Sequence, residues 1–189
     1  MKLDLAKSDR HYYDATPEPE LRTFDTYGYL TVTGSGAPGG ANYTEAVQRL
    51  HRTAYGAKKI AQADGQDFVV PKLEGQWWVN SDEPPLSVPR EQWQWKLMIR
   101  MPEVVTAEMV PDEMVSGARF EQLTEGTAIH VMHIGPYATE PETLAKMEAF
   151  MAAEGLVMNG RHHEIYLSDP RRSPDAHTRT ILRHPVRRA

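Results

Sequence analysis

The sequence has no cysteine. That excludes disulfides, thiolate metal sites and catalysis by a cysteine nucleophile. It also has no apolar run near the roughly 20 residues needed to span a bilayer. The opening stretch, MKLDLAKSDRHYYD, is charged and has no apolar centre, so it does not read as a signal peptide. Positive charge is not in excess: 26 acidic against 21 basic residues leave a formal net charge of −5, without an electrostatic footprint for nucleic acid. A phosphate-cradling loop is missing, because GSGAPGG (residues 34–40) has no Gly-Lys-Ser/Thr ending and does not fit GxGxxG. No HExxH or comparable ligand spacing appears, and His130 and His133 fall on opposite faces of a strand, as do His162 and His163. These absences predict a cytoplasmic protein with no metal, no cofactor, no nucleic-acid partner and no membrane partner. Nothing in the sequence indicates an oligomeric state.

What is present suits a globular fold. A chain of 189 residues with 40% hydrophobic and 25% charged residues can bury a core as one domain or two fused half-domains. Residues 1–22 are polar, hold Pro17 and Pro19, and read as an extended arm. In TFDTYGYLTVTG, Leu30 and Val32 alternate with Tyr29, Thr31 and Thr33, a half-buried strand pattern. A helix is expected from Asn42, which can cap with Glu45 three residues on. Its apolar stripe would be Tyr43, Val47, Leu50, Ala54, Ala57 and Ile60 or Ala61. The strands KLEGQWWVN and QWQWKLMIRM follow.

The same order then recurs. A strand carries Ile129, Val131 and His133 on one face, and GPY makes a turn. Thr139 can cap a second helix with Pro141 in its first turn and Leu144, Met147 and Met151 as its stripe, and Gly155 is placed to end it. HHEIYLS and TRTILRHPV supply two more strands. The expected fold is therefore α+β. It has two tandem strand-helix-strand-strand repeats, about 23–103 and about 117–187, in one domain spanning 23–189, related by a pseudo-twofold axis, with antiparallel sheets enclosing a ligand cleft. Setting Trp77 and Trp78 against Ile165 and Tyr166 puts Glu74, Gln76 and Trp78 on one strand face and His162, Glu164 and Tyr166 on the equivalent one. Trp77, Val79, Ile165 and Leu167 would then point toward the helices. Six arginines from Arg171 to Arg188 read as a solvated basic tail.

HIGPY (133–137), the helix after it and HHEIYLSDPRR (162–172) resemble the second repeat of the GyrI-like small-molecule-binding superfamily, which shares the SOUL/GyrI fold. PKLEGQWWV (71–79), WQWKLMIRMP (93–102) and the segment 2–21 resemble its stand-alone branch, similar to cyclopropanoid cyclopropyl hydrolases. The resemblance implies a cleft for planar aromatic ligands, often cationic. In the hydrolase branch it implies ring opening of cyclopropane-bearing DNA-alkylating compounds of the yatakemycin and duocarmycin type, a xenobiotic detoxification role. Carried over by motif, the superfamily's pocket acid falls at Glu164 and the branch acid at Glu74.

Chemistry gives each residue a role. A carboxylate on the half-buried strand Ile165-Tyr166-Leu167 needs a partner, either a ligand or Arg171 or Arg172. Glu74 or Glu164 would act as general base on water. Tyr137 or a protonated partner acid would stabilise the oxyanion. Trp78 and Tyr166, with Tyr55 from the first helix and Trp77, His133 and His162, would contact the ligand. Trp93 and Trp95 read as packing. The other reading is a multidrug-binding protein that sequesters or senses its ligand without turnover, with the acids as counter-charge. A haem-binding relative is a third option, although no histidine stands out as an axial ligand.

Overall fold

The computed structural model describes residues 2–169 and 172–189. Instead of a continuous extended arm, the segment before the first strand carries two helical turns, α1 (Leu5–Ser8) and α2 (Arg10–Tyr13). Asp9 starts the second by accepting the Tyr12 amide at 3.2 Å, a side-chain N-cap. Tyr12 is fully buried and meets Phe24 edge-to-face at 5.9 Å. Two adjacent tyrosines are enough apolar surface to hold a short polar segment against a core.

The remaining elements are β1 (Glu20–Ser35), α3 (Ala41–Ala63), β2 (Leu73–Trp78), β3 (Gln94–Met101), α4 (Glu113–Ser116), β4 (Arg119–Ile134), α5 (Glu140–Glu154), β5 (Leu156–Met158), β6 (His162–Tyr166) and β7 (Arg179–Arg188). They form two compact units. One comprises residues up to Ser8 with Tyr27–Leu123, the other Asp9–Thr26 with Thr124–Ala189. The α+β class expected from the sequence is observed, with antiparallel strands and helices in each unit.

In the first unit β3 lies between β1 and β2, both antiparallel to it. Leu30 pairs with Ile99 and Val32 with Leu97, while Gly75 sits opposite Leu97 and Trp77 opposite Trp95. Directly opposed residues share a sheet face. That face meets the α3 stripe Ala46, Leu50, Ala54, Ala57 and Ala61 in one core. Gly34 is required there: a Cβ would fall 2.4 Å from the Trp95 ring. The helix begins two residues earlier than expected, with Gly40 rather than Asn42 at the N-cap. Asn42 instead donates its side-chain amide to the Ser35 carbonyl at 3.4 Å, so it ties the loop rather than capping.

In the second unit β7 pairs antiparallel with β4, β5 and β6. Val131, Leu182 and Glu164 lie in one row across β4, β7 and β6, and His130, Arg183 and His163 in the next. The first row faces α5: Ile129, Val131, Leu182 and Val186 pack with Met147, and Leu144 and Met151 join them as the sequence predicts. Gly155 ends α5 at φ 64°, a left-handed position suited to glycine. Thr139 precedes the helix, but its hydroxyl donates to the Pro136 carbonyl at 2.9 Å rather than capping a helix amide. The basic-tail expectation fails for Arg183, which is fully buried at the centre of β7.

Candidate functional site

The HHEIY strand sorts its own residues. Strand alternation sends His163 and Ile165 to one face of the second unit's sheet and His162, Glu164 and Tyr166 to the other. The face bearing Glu164 is the face that α5 covers, because Glu164 lies opposite Leu182. This corrects the expected register. In the first unit the residues toward the helix are Gly75 and Trp77, and Glu74 faces away from α3. In the second it is the acid that faces the helix and Ile165 that faces away. Matching Trp77 to Ile165 was one residue out of step, and a one-residue slip exchanges the two faces.

On the α5 side, Glu164 sits in a closed set of bonds. His162 Nε2 meets its Oε1 at 2.8 Å, and the Tyr166 hydroxyl donates to its Oε2 at 2.8 Å. Glu140, the first residue of α5, is hydrogen-bonded to Glu164 as well. His162 Nδ1 meets His184 Nε2 at 2.8 Å, which extends the chain onto β7. Tyr137, in the turn before α5, stands edge-on to Tyr166 with ring centroids 6.2 Å apart. Of the two arginines expected as structural partners of Glu164, Arg172 is not bonded to it. Arg172 pairs with Asp169 at 3.8 Å, and Arg171 lies outside the described residues.

These contacts separate the two carboxyls. Burial alone would raise Glu164, but the hydrogen bond and charge of His162, then bonds from Tyr166 and Glu140, hold it below the ordinary glutamate value. Burial also raises Glu140, and there the adjacent Glu164 charge adds to it, pushing Glu140 up to about 9. Burial and the charges of Glu140, Glu164 and Asp169 raise the Tyr137 phenol to about 12. Burial first, then the charge of His162, lowers His184 to about 3. At neutral pH the two acids therefore share one proton, held by Glu140. Glu140 Oε1 is buried and has no partner among the described residues.

The other residues singled out in the sequence are placed as follows. His133 is buried and spends both ring nitrogens internally, on Thr143 Oγ1 at 2.7 Å and the Pro136 carbonyl at 3.0 Å. In the first unit Glu74 is fully buried opposite Met98. Trp77 stacks on Tyr43 and meets Trp93 edge-on, both at 6.0 Å. Trp78 is half-buried opposite Gln94, and Tyr55 is exposed on α3. Trp95 is buried, and Trp93 bonds the Val88 carbonyl at 3.0 Å, so both are packing residues. An open depression of about 830 Å³ in the first unit, lined by Arg49, Arg52, Lys96, Glu113, Met114 and Arg119, includes none of the singled-out residues. Among the described residues no group of three His, Asp or Glu side chains converges as a metal site, and no helix is long and apolar enough to cross a membrane.

Sequence reasoning missed Glu140 and His184. Glu140 was legible in part, since it begins the helix after HIGPY, but its partner is 24 residues away. His184 was hidden inside the supposed basic tail.

The family model for the GyrI-like small molecule binding domain matches residues 17–187. A conserved, uncharacterised protein from Listeria innocua is 36% identical, with a TM-score of 0.90 over 98% of this chain and 100% of its own. A protein described as a hydrolase, also from Listeria innocua, is 35% identical with a TM-score of 0.85 over the same shares. The C-terminal domain of EcmrR, at 12% identity and a TM-score of 0.63 over 91% of this chain and 98% of its own, shares the fold. Among curated protein sequences none matches.

Proposed function

The chain belongs to the GyrI-like small-molecule-binding family, and from that premise we propose that it is a hydrolase acting on planar aromatic compounds that carry a strained cyclopropane conjugated to a dienone. One arrangement carries the reading: Glu164, held below the ordinary glutamate value by the bonds from His162 and Tyr166, is paired with Glu140, which burial and the Glu164 charge push up to about 9. Two carboxyls whose environments drive their proton affinities apart provide a base and a neutral donor at one place. The hydrolase description of the Listeria innocua relative supports the reaction class.

The chemistry follows from the contacts. A carboxylate offers about four lone-pair positions. Among the described residues His162, Tyr166 and Glu140 occupy three on Glu164, and the fourth would take a water proton. As the water oxygen bonds to the ring methylene, that proton passes to Glu164. The strained carbon–carbon bond breaks, and its electron pair moves through the dienone to make the carbonyl a phenolate. Tyr137, half-exposed and still protonated at neutral pH, donates to that oxygen. Glu164 then releases its proton to solvent and the phenolate takes one up, so the product is the ring-opened alcohol, the substrate plus one water. Of the two acids singled out in the sequence, this assigns the base to Glu164, whose donors are in place, and leaves Glu74 as a buried residue of the first unit's sheet.

The same carboxylate would serve as counter-charge to a cationic aromatic ligand that is held and not turned over. The two readings divide on product. Incubating purified protein with a cyclopropane-bearing alkylator and following the gain of one water by mass spectrometry should show many turnovers per protein molecule. Stoichiometric binding without product would replace the hydrolase with a sequestering protein.

A further inference from the structure

Behind Glu164 stands a histidine that no part of the proposed reaction uses. His184 is nearly sealed at 9% exposure and lies on the same sheet face as Glu164, opposite Ile129 on β4. Its Nε2 is 2.8 Å from His162 Nδ1, and His162 Nε2 is 2.8 Å from Glu164 Oε1. One proton lies in each contact, and its direction is fixed by what the far end can tolerate. His184 Nδ1 is buried with no partner among the described residues. Were His162 to donate toward His184, the neutral His184 ring would carry its proton on Nδ1. That would be a buried donor with no acceptor, and orphaned N–H groups are rarer than orphaned acceptors. With the proton on Nε2, Nδ1 is only an unused lone pair. His184 then donates to His162 Nδ1, and His162 must carry its own proton on Nε2, aimed at Glu164.

We propose that His184 is a positioning residue that selects the Nε2–H tautomer of His162, and through it aims a third hydrogen-bond donor, beside Tyr166 and Glu140, at the Glu164 carboxylate. The inference rests on the reading of Glu164 as the base. The hydrogen bond made by one ring nitrogen decides which atom of the other presents a proton. If His184 were lost, His162 could adopt the Nδ1–H form and face Glu164 with a lone pair. Two electron-rich atoms would then oppose each other across 2.8 Å, and the ionised state of Glu164 would lose support. Several titratable groups cluster around His162 and Glu164. They are Tyr166 on the same strand, His184 on β7, Glu140 on α5, Tyr137 in the turn before α5, and Asp169 after β6, which acts on Tyr137.

The test compares His184→Gln, which retains a side-chain N–H donor, with His184→Leu, which does not. Long-range proton–nitrogen spectra of the histidine rings give the tautomer directly, without substrate. The wild type and His184→Gln should show His162 protonated on Nε2, and His184→Leu should not. Turnover of the cyclopropane substrate should fall about tenfold at pH 7 in His184→Leu, since a hydrogen bond to a charged group supplies roughly that factor. His184→Gln should restore it. A wild-type His162 protonated on Nδ1, or on both nitrogens, at pH 7 overturns the proposal, and so does equal behaviour of the two variants. A wild type that carries the expected tautomer but has no turnover leaves the relay standing and removes the hydrolase instead.

Discussion

The two faces of the second unit's sheet each bring a glutamate and a histidine together, and they use the pair in opposite ways. On the face away from α5, Glu125 accepts His163 Nδ1 at 2.7 Å and Arg183 Nη1 at 2.7 Å. Arg183 lies over the rings of Phe24 at 3.6 Å and Tyr12 at 4.3 Å, and its Nε donates to His130 Nδ1 at 3.3 Å. His130 Nε2 in turn donates to the Asp14 carbonyl at 3.0 Å, which ties down the N-terminal segment. Burial would raise Glu125, but the charges of His163 and Arg183 hold it at about 2. Here the acid is balanced by a permanent cation, sealed and fixed. On the α5 face the partners of Glu164 among the described residues are a histidine, a phenol and a second acid. Adjacent residues, His162 and His163, thus serve different purposes. A carboxylate matched by a guanidinium holds a fold, whereas one supported by titratable donors keeps chemistry available.

Breaking the sealed side should have the largest effect. Arg183→Met leaves Glu125 buried without its permanent cation, and should lower stability by about 3–5 kcal/mol. A urea unfolding midpoint reads this, and Glu164→Gln should move that midpoint far less. If the two variants cost the same, the contrast between the faces does not hold. Next in size is activity. Glu164→Gln should slow turnover by about 10²–10⁴-fold, the range for loss of a general base, in a protein that still folds.

The pH dependence of stability sharpens the contrast, because Glu140 on the α5 face has the sign opposite to the sealed groups. Burial, then the charge of Arg183, lowers His130 to about 2. Its contribution is therefore complete above about 6.5 and is lost as pH falls toward about 2. Glu125 behaves likewise, complete above about 4.5 and lost toward about 2. Glu140 runs the other way: raised to about 9, its contribution is complete below about 4.5 and declines as pH rises toward about 9. Glu140→Gln should flatten the decline toward pH 9 in a thermal-melting profile, with a smaller change on the acid side where Glu164 titrates. The smallest expected effects are at the helix starts. Asp9→Ala removes a real N-cap and should cost about 1 kcal/mol, while Thr139→Ala, which removes no cap bond, should cost less than that in the same melts.

Much of the architecture was legible because it rests on short-range pattern. The stripes of α3 and α5 follow helical spacing, β1 and β3 alternate, and Gly155 ends a helix by its freedom at positive φ. Register was harder. Ile165 looks like a residue that should face its helix, and it is buried, but under the other face, where Arg183, His130 and His163 lie. Only strand pairing shows this. Arg183 illustrates the same limit. Its neighbours in sequence are a basic tail, and its neighbours in space are Glu125, Phe24 and Tyr12. The site was half legible. The HHEIY motif gave Glu164, His162 and Tyr166, which do come together. It gave no sign of Glu140 or His184, whose approach depends on how α5 and β7 are laid against β6.

The claim on which this account turns is that Glu140 and Glu164 hold a single proton between them at neutral pH. Carboxyl carbon shifts in protein labelled with 13C at the glutamate side chains, followed from pH 3 to 10 and assigned with Glu140→Gln and Glu164→Gln, measure it. Glu164 should be ionised at pH 7 while Glu140 stays protonated until the pH nears about 9. Two carboxyls that both lose their protons near the ordinary glutamate value would contradict it.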